Sequence, residues 1–455
     1  MKLNWWLITT LAGVQCASIA LAADDTATNS DADNINTLEQ QIHDLDQKVR
    51  ILERQRELDK DDAAATAKNQ PLVKLDENGF TFNSADKNFS IGLHGVLQLD
   101  SRTFFENAAP GVDGFVLRRA RPIISGTVYH DFDYVFMPDF GGSSPVIQDA
   151  YVNYHFRPEL QFEAGKFKTP VGLEYLQSTK NWAFNELSLA SDLVPNRDLG
   201  VELHGDLLGG TISYAAGIFN GVADSANTAN SDFDNDKEFA GRLFFQPLIT
   251  TDITALQGLG FGVSGSYGDE TGASAVNKYK TDGQQTWFSY RSTVSGDGER
   301  WRISPQGYYY YGPFGVLAEY VQSSEKVAAG ANTATLNNRA WDVTASWILT
   351  GEKNQYNNNL SPNNPFNPAK GHWGALGLFA RYAQLDIDSD AFPLFADPTT
   401  SAKSADAWSV GLSWWLNKNI RVNTDFSRTT FSGGNSGAVT KDPEEVFFTR
   451  IQLAF

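Results

Sequence analysis

Apolar and polar residues alternate with a period of two along most of the chain, from about residue 71 to the C-terminus. Such alternation predicts β-strands that have one apolar and one polar face. It is clearest in residues 89–100, 150–156, 341–349, 408–416, 420–426 and 447–455. At roughly 22–25 residues for each strand with its connection, residues 71–455 hold about 15 to 18 strands.

A soluble β-sandwich would show the same alternation, so further features are needed to choose the fold. The polar faces carry Asp, Asn, Arg and Gln repeatedly, and Trp and Tyr crowd the predicted strand ends, as at Tyr308–Tyr311. No helical span of about 20 apolar residues follows the N-terminal segment, so membrane insertion requires a closed barrel. We therefore predict an all-β fold, a transmembrane antiparallel β-barrel of about 16 strands with a water-filled lumen.

Residues 1–22 have the features of a signal peptide. Lys2 precedes an apolar run over residues 5–21, and small residues then lead to a cleavage site after Ala22. A membrane-anchor helix is the alternative. Cys16 could also mark a lipid-attachment site, although Gln15 fits that pattern poorly. Cleavage after Ala22 would remove the single cysteine, which excludes disulfides and thiolate zinc sites from the mature chain.

Residues 23–70 are predicted to form a coiled-coil helix followed by a polar, Ala-rich linker from residue 59. The apolar positions repeat at spacings of three and four, with β-branched residues at a and Leu at d. So short a coiled coil gains its stability by association. The alternative is a solvated helix on the protein's own surface. The repeat consists of Ile35, Leu38, Ile42, Leu45, Val49 and Leu52.

Composition and motifs exclude several classes of function. The chain has 36 Lys and Arg against 54 Asp and Glu, a net charge of −18, which argues against nucleic-acid binding. Asp232, Asp234 and Asp236 have the spacing of a calcium loop, but Lys237 and Leu243 replace its Gly and Glu. No P-loop or nucleophile elbow is present. We therefore expect no enzyme, no cofactor and no metal site.

The phase of the alternation places arginines on the lumen faces of the strands. These are Arg119, Arg121, Arg242, Arg381, Arg421 and Arg450. Arginine keeps its charge and presents a planar fork that fits oxyanions. We expect these side chains to form a track for anions. The alternative is that they pair with lumen carboxylates and form a rigid wall; those carboxylates are Asp100, Glu163, Glu202, Glu319, Asp342 and Asp425.

The alternation is interrupted between Phe167 and Asp198, a stretch too long for a tight hairpin. Lys166, Lys168 and Arg197 lie in it or beside it. In a barrel with a wide lumen, such a loop folds inward and narrows the pore. An ordinary extracellular loop is the alternative.

Several motifs resemble the phosphate-selective porin O and P family, in order along residues 71–455. They are FVLRRARPIISGTVYHDFDYVFMPDFGG (115–142), IQDAYVNYHF (147–156), EAGKFKTPVGLEYL (163–176), LVPNRDLGVELHGDL (193–207), LTGE (349–352) and PNNPFNPAKGHWGALGLFARYAQLD (362–386). The resemblance implies a trimeric, 16-stranded barrel in the outer membrane of a Gram-negative bacterium, with a short N-terminal helical extension. It also implies a ladder of arginines that leads anions to a constriction lined by Arg and Lys.

The resemblance carries over to particular residues. Arg118, Arg119 and Arg121 match the basic strand motif of the family. Basic positions in and around the inward loop are matched by Lys166, Lys168 and Arg197. By simple alternation Arg118 falls on the lipid face, so either a bulge turns it inward or it sits at the membrane interface.

The function that these patterns predict is a passive outer-membrane channel for small anions, including phosphate and chloride. Its expected partners are these anions, outer-membrane lipid and two further copies of the chain. The acidic lumen residues leave open a general or weakly cation-preferring porin. A receptor or adhesin barrel plugged by its own loops is the remaining alternative.

Overall fold

A computed structural model describes residues 30–105, 111–142, 144–232, 234–357, 359–433 and 442–455. The predicted signal peptide, with Cys16, lies outside these ranges. The chain divides into two compact units, residues 1–70 and 71–455.

The first unit contains one α-helix, α1 (Ser30–Asn69). The predicted a and d side chains are all exposed, from 47% at Val49 to 65% at Ile42 and Leu52. The helix continues through the segment from residue 59 for which a linker was predicted. Three consecutive alanines at 63–65, the residue with the highest helix propensity, account for the continuation.

The second unit is a closed antiparallel β-barrel of sixteen strands in the described part of the chain, β3–β11 and β14–β20. The last strand, β20, pairs with β3, from Val446 opposite Phe104 to Ala454 opposite Val96. The predicted fold is therefore confirmed. Strands β1 and β2 form a hairpin that pairs with β3, and β12 and β13 form a separate hairpin.

The strands have the following bounds: β1 (Leu72–Asp76), β2 (Gly79–Asn83), β3 (Ser90–Phe104), β4 (Gly114–Val128), β5 (Phe132–Asp139), β6 (Val146–Arg157), β7 (Leu160–Lys168), β8 (Arg197–Leu207), β9 (Ile212–Phe219), β10 (Glu238–Phe245), β11 (Leu259–Gly272), β12 (Lys278–Lys280), β13 (Thr286–Ser289), β14 (Ser295–Tyr311), β15 (Phe314–Ala329), β16 (Asn332–Ile348), β17 (Ala375–Asp386), β18 (Ser404–Trp415), β19 (Ile420–Ser432) and β20 (Glu444–Ala454). Short 3-10 helices occupy Leu189–Leu193, Leu208–Gly210, Ala273–Ala275, Pro368–Lys370 and Ser389–Ala391.

The two faces of the wall follow the sequence alternation. On β16, the apolar Trp341, Val343 and Trp347 are exposed, whereas the intervening Asp342 and Thr344 are buried. An exposed apolar face with a polar interior is the arrangement of a barrel whose outer surface meets lipid. No helix within the described residues has the length and apolarity needed to cross a membrane.

The connections differ between the two ends of the barrel. The end that carries Phe455, here called the turn end, has mostly short turns and two longer connections, residues 246–258 and 349–374. The opposite end, here called the loop end, carries long segments. These are residues 169–196, 220–237, 273–294 and 387–403.

Segments from the loop end form an apolar core inside the barrel. Leu189, Leu193, Trp287, Phe288 and Phe395 are all less than 3% exposed and belong to one cluster. These segments therefore fill part of the lumen. Only the remaining part of the lumen cross-section is open to solutes.

Candidate ion pathway

The segment of residues 169–196, here called the inward loop, is fixed to the barrel wall from several sides. Its Leu173 and Glu174 amides donate to the Glu319 carboxylate at 2.7 and 3.0 Å. Across the lumen, Arg450 donates to the Asn185 carbonyl at 2.6 Å. The loop is thus tied to β15 and to β20, and the inward course predicted from the sequence is what the structure shows.

A β-bulge on β4 turns Arg118 into the lumen. Gln98 pairs with Arg119 and the next residue of β3, Leu99, pairs with Leu117, so Arg118 is the extra residue. A bulge leaves its extra residue unpaired and re-aims the side chains around it. Two adjacent residues, Arg118 and Arg119, therefore both face the interior, and the first of the two alternatives for Arg118 applies.

Both arginines converge on Glu186 of the inward loop. Arg118 makes a bidentate pair with Glu186, with Nε 2.6 Å from Oε1 and Nη2 2.9 Å from Oε2. Arg119 lies farther away, its Nη2 4.0 Å from Oε2, and donates instead to Gln98 at 2.7 Å. Its guanidinium also stacks on Trp182 at 4.6 Å.

Arg121 and Arg197 continue the basic surface and are oriented by wall carboxylates. The Nε of Arg121 is 2.7 Å from Asp139 Oδ2. The Nε of Arg197 is 2.6 Å from Asp149 Oδ1, and its Nη1 donates to the Tyr175 hydroxyl at 3.0 Å. Each guanidinium keeps further N–H groups beyond its carboxylate contact, since the fork carries five.

These side chains surround a cavity of about 380 Å³ between the inward loop and the wall, here called the basic cavity. Among the described residues, six cations and three carboxylates line it, against a net charge of −18 for the chain. The cations are Arg118, Arg119, Arg121, Arg197, Lys278 and Lys280, and the carboxylates are Asp139, Glu186 and Asp192. Four of the ten predicted pathway residues therefore meet at one place.

Lys278 and Lys280 were missed by the sequence analysis because the 273–294 segment was not predicted to fold inward. Both lie on β12, whose middle residue Tyr279 is 1% exposed. A signal was present in the sequence, since Tyr279, Trp287 and Phe288 give an otherwise polar segment three large aromatic residues to bury.

Two loop carboxylates in the cavity are in opposite electrostatic environments. Burial alone would raise the pKa of Glu186, but the Arg118, Arg119 and Arg450 guanidiniums lower it far below its usual range. Burial raises the pKa of Asp192 to about 8, although it accepts a hydrogen bond from the Lys280 amide at 3.0 Å. At neutral pH, Glu186 is ionised and Asp192 is largely protonated.

Lys166 and Lys168 lie next to the basic cavity but do not line it. The Lys166 ammonium donates to the Thr228 carbonyl at 2.7 Å. Lys168 donates to the carbonyls of Tyr175 and Gln177 at 2.7 and 2.6 Å. Both ammonium groups therefore tie down loop backbone, and neither is paired with a carboxylate in the described part of the chain.

Three other predicted arginines are spread around the lumen. Arg242 on β10 stacks on Phe244 and donates to Gln306 at 3.2 Å. Arg381 on β17 is paired with Glu174 and Asp282 at 3.0 and 2.8 Å. Arg421 on β19 donates to the Trp182 carbonyl at 2.8 Å. None of the three lines the basic cavity.

Arginines outside the basic cavity also pair with carboxylates inside the barrel, as the rigid-wall alternative predicts. Arg450 makes a bidentate pair with Asp100 at 2.6 and 2.7 Å. Arg302 is fully buried and bridges Asp224 and Glu238. Pairing with carboxylates is therefore common to both groups of arginines, and what distinguishes Arg118, Arg119, Arg121 and Arg197 is that they also line the basic cavity.

A closed sixteen-stranded barrel with an apolar outer face, a polar interior and an inward loop defines a porin, an outer-membrane channel. The sequence matches the family described as "Phosphate-selective porin O and P" over residues 93–455, and the chain belongs to this family. No curated protein matches the sequence significantly.

Solved structures with a similar fold are also outer-membrane proteins. The outer membrane channel DcaP of Acinetobacter baumannii aligns with a TM-score of 0.54 at 14% identity, covering 82% of this chain and 99% of DcaP. OmpT of Vibrio cholerae aligns with a TM-score of 0.49 at 11% identity, covering 81% and 98%. The DcaP alignment supports the barrel fold.

Proposed function

We propose that the channel conducts small anions and that the basic cavity is its selective region. The observation that supports this proposal is the twofold excess of cations over carboxylates around the cavity, in a chain that is strongly acidic overall. A residual positive charge confined to a narrow passage favours anions over cations.

The local charge outweighs the net charge of the protein because electrostatic fields in salt solution are short-ranged. The Debye length is about 8 Å at physiological ionic strength, so acidic loops farther away than this are largely screened. By contrast, a charge pair at about 4 Å is worth roughly 4 kcal/mol near a protein surface. An anion in the cavity would therefore interact mainly with its lining.

Phosphate is the proposed physiological anion, together with chloride as a permeant ion. Support comes from the family description and from the donors themselves. Arg118, Arg119, Arg121 and Arg197 present guanidinium groups, whose geometry matches the oxygens of a tetrahedral oxyanion. This proposal assigns no catalytic activity to the chain.

We further propose that the channel is a homotrimer in outer-membrane lipid. The exposed apolar stripe of α1, from Ile35 to Leu52, supports association of the helices of neighbouring copies.

A weakly cation-preferring porin is the second candidate, favoured by one specific contact. Glu163 on β7 and Glu202 on β8 are directly opposite each other in the wall. Like charges in register repel and attract counter-ions, so this pair could give cations a path through the lumen.

The deciding experiment is the zero-current potential of the purified protein in a planar bilayer across a KCl gradient. Anion selectivity, with phosphate blocking the chloride current at low concentration, is expected. A reversal potential of cation-selective sign would contradict the anion proposal and favour the Glu163–Glu202 path. Absence of any steady single-channel current would favour a plugged receptor barrel.

A further inference from the structure

Three carboxylates that do not line the basic cavity meet between the inward loop and the wall. Glu174 belongs to the loop, Glu319 to β15 and Asp342 to β16, and each is 5% exposed or less. One carboxylate oxygen from each residue lies within 4.8 Å of the others. This group is here called the carboxylate cluster.

The charge of the cluster is poorly compensated. Within the described ranges, the only cation in contact with it is Arg381, which is 3.0 Å from Glu174 Oε1. Arg381 is shared with a further carboxylate, Asp282, at 2.8 Å. Buried carboxylates without a counter-charge are strongly unfavourable, so the cluster requires additional positive charge.

Two buried polar atoms at the cluster lack the partners that buried groups normally have. Asp342 Oδ1 has no hydrogen-bond partner in the described part of the chain, and Asp342 is 1% exposed. The hydroxyl of Ser188, a loop residue that is 3% exposed, lies beside Asp342 without a well-formed hydrogen bond. Such orphan groups call for an occupant, because an unsatisfied buried polar atom costs roughly 1–3 kcal/mol.

We propose that the carboxylate cluster binds one divalent cation, Ca²⁺, between the inward loop and the barrel wall. Ca²⁺ takes oxygen ligands at about 2.3–2.6 Å in flexible geometry, so its ligand oxygens lie within about 5 Å of one another. The three carboxylates meet that spacing, and the Ser188 hydroxyl offers a further oxygen. Mg²⁺ is less suited, since it demands near-octahedral geometry and gives up its waters reluctantly.

A cation at this position would clamp the loop to the wall. Glu174 Oε2 already accepts a hydrogen bond from the Ser188 amide at 2.7 Å, so the cation would fix both arms of the loop together. Glu186, which meets Arg118 in the basic cavity, is two residues from Ser188. Loss of the cation would therefore loosen the loop where it borders the cavity.

The test is isothermal titration of the purified full-length mature protein, stripped with EDTA, with CaCl₂ at neutral pH in a background of KCl. One saturable site per chain is expected, together with a Ca²⁺-dependent rise in the unfolding temperature. Asp342→Asn, which keeps the side-chain shape, should weaken binding by at least about tenfold and remove the rise. Asp425→Asn is the matched control, because Asp425 is equally buried in the lumen but lies outside the cluster.

The proposal is overturned if the wild-type protein shows no saturable Ca²⁺ binding, since protons would then neutralise the cluster. It is also overturned if Asp342→Asn and Asp425→Asn bind Ca²⁺ as the wild type does. If Asp342→Asn does not fold, Ser188→Ala is tested instead. This variant is expected to bind Ca²⁺ more weakly than the wild type, and unchanged binding would count against the site. None of these readouts depends on which ions the channel conducts.

Discussion

Arg118 and Glu186 join the barrel wall to the inward loop through two parallel hydrogen bonds of 2.6 and 2.9 Å. The pair exists because a bulge on β4 brings Arg118 inward beside Arg119, which would otherwise be the lone inward residue of the two. One carboxylate thus faces four guanidiniums, since Arg450 Nη2 and Arg102 Nη2 each also lie 3.4 Å from Glu186 Oε1. Glu186 orders these cations and at the same time reduces their net charge.

Removal of the Glu186 charge should increase anion selectivity. In Glu186→Gln the side-chain shape is retained, while the basic cavity loses one of its three carboxylates. The ratio of chloride to potassium permeability, measured from the zero-current potential, should rise severalfold. A lower ratio would mean that ordering of the arginines matters more than their net charge.

Removal of two cavity cations should have the opposite effect. Arg119→Ala combined with Arg121→Ala should lower chloride permeability relative to potassium, because both guanidiniums line the basic cavity. The matched control is Arg157→Ala, a wall arginine at the turn end whose side chain lies over Phe156. A reversal potential that the double substitution leaves unchanged would refute the anion track.

Anion selectivity should decline between pH 7 and pH 9. Burial raises the pKa of Asp192 to about 8, so its carboxyl is largely neutral below that pH and negative above it. The negative charge that Asp192 gains would reduce the net positive charge of the basic cavity. Zero-current potentials recorded at pH 7, 8 and 9 measure the decline.

The matched variant for this pH dependence is Asp192→Asn. It should hold the neutral-pH selectivity up to pH 9, because an amide does not ionise. A decline of equal size in the variant would assign the titration to another group.

Deletion of residues 35–52 should leave the single-channel conductance largely intact. The deleted stretch carries the exposed apolar stripe of α1 and belongs to the first unit, whereas the residues that line the basic cavity belong to the second. The fraction of trimer on gel filtration in detergent should decrease, because apolar heptad positions stabilise helices through association. If the barrel no longer assembles at all, the helix has a role in biogenesis that the heptad pattern does not reveal.

The sequence was sufficient to predict the barrel because a period of two is a local property. Each residue of β16 alternates between lipid and lumen regardless of what the distant strands do. The lumen phase of Arg381 and Arg421 could be read in the same way. What local periodicity cannot give is the partner across the lumen, such as the Glu174 and Asp282 that hold Arg381.

The basic cavity could be predicted only in part. The resemblance to the family's motifs identified Arg118, Arg119, Arg121 and Arg197 as pathway residues. Their convergence on one cavity, however, depends on the bulge in β4 and on the course of the inward loop. Lys280 enters the site from a second loop, and nothing in local alternation indicates where a long connection will fold. Such tertiary placement depends on the burial of the aromatic residues of that loop.

The inward loop is also held from the turn end of the barrel. Within the 349–374 connection, the Tyr356 hydroxyl donates to the Leu173 carbonyl at 2.8 Å, and Asn357 accepts from the Ser178 amide at 2.7 Å. A loop that is held at both ends of the barrel is fixed in place and does not swing as a hinged lid would. We therefore expect the passage beside the loop to keep the same width while ions move through it.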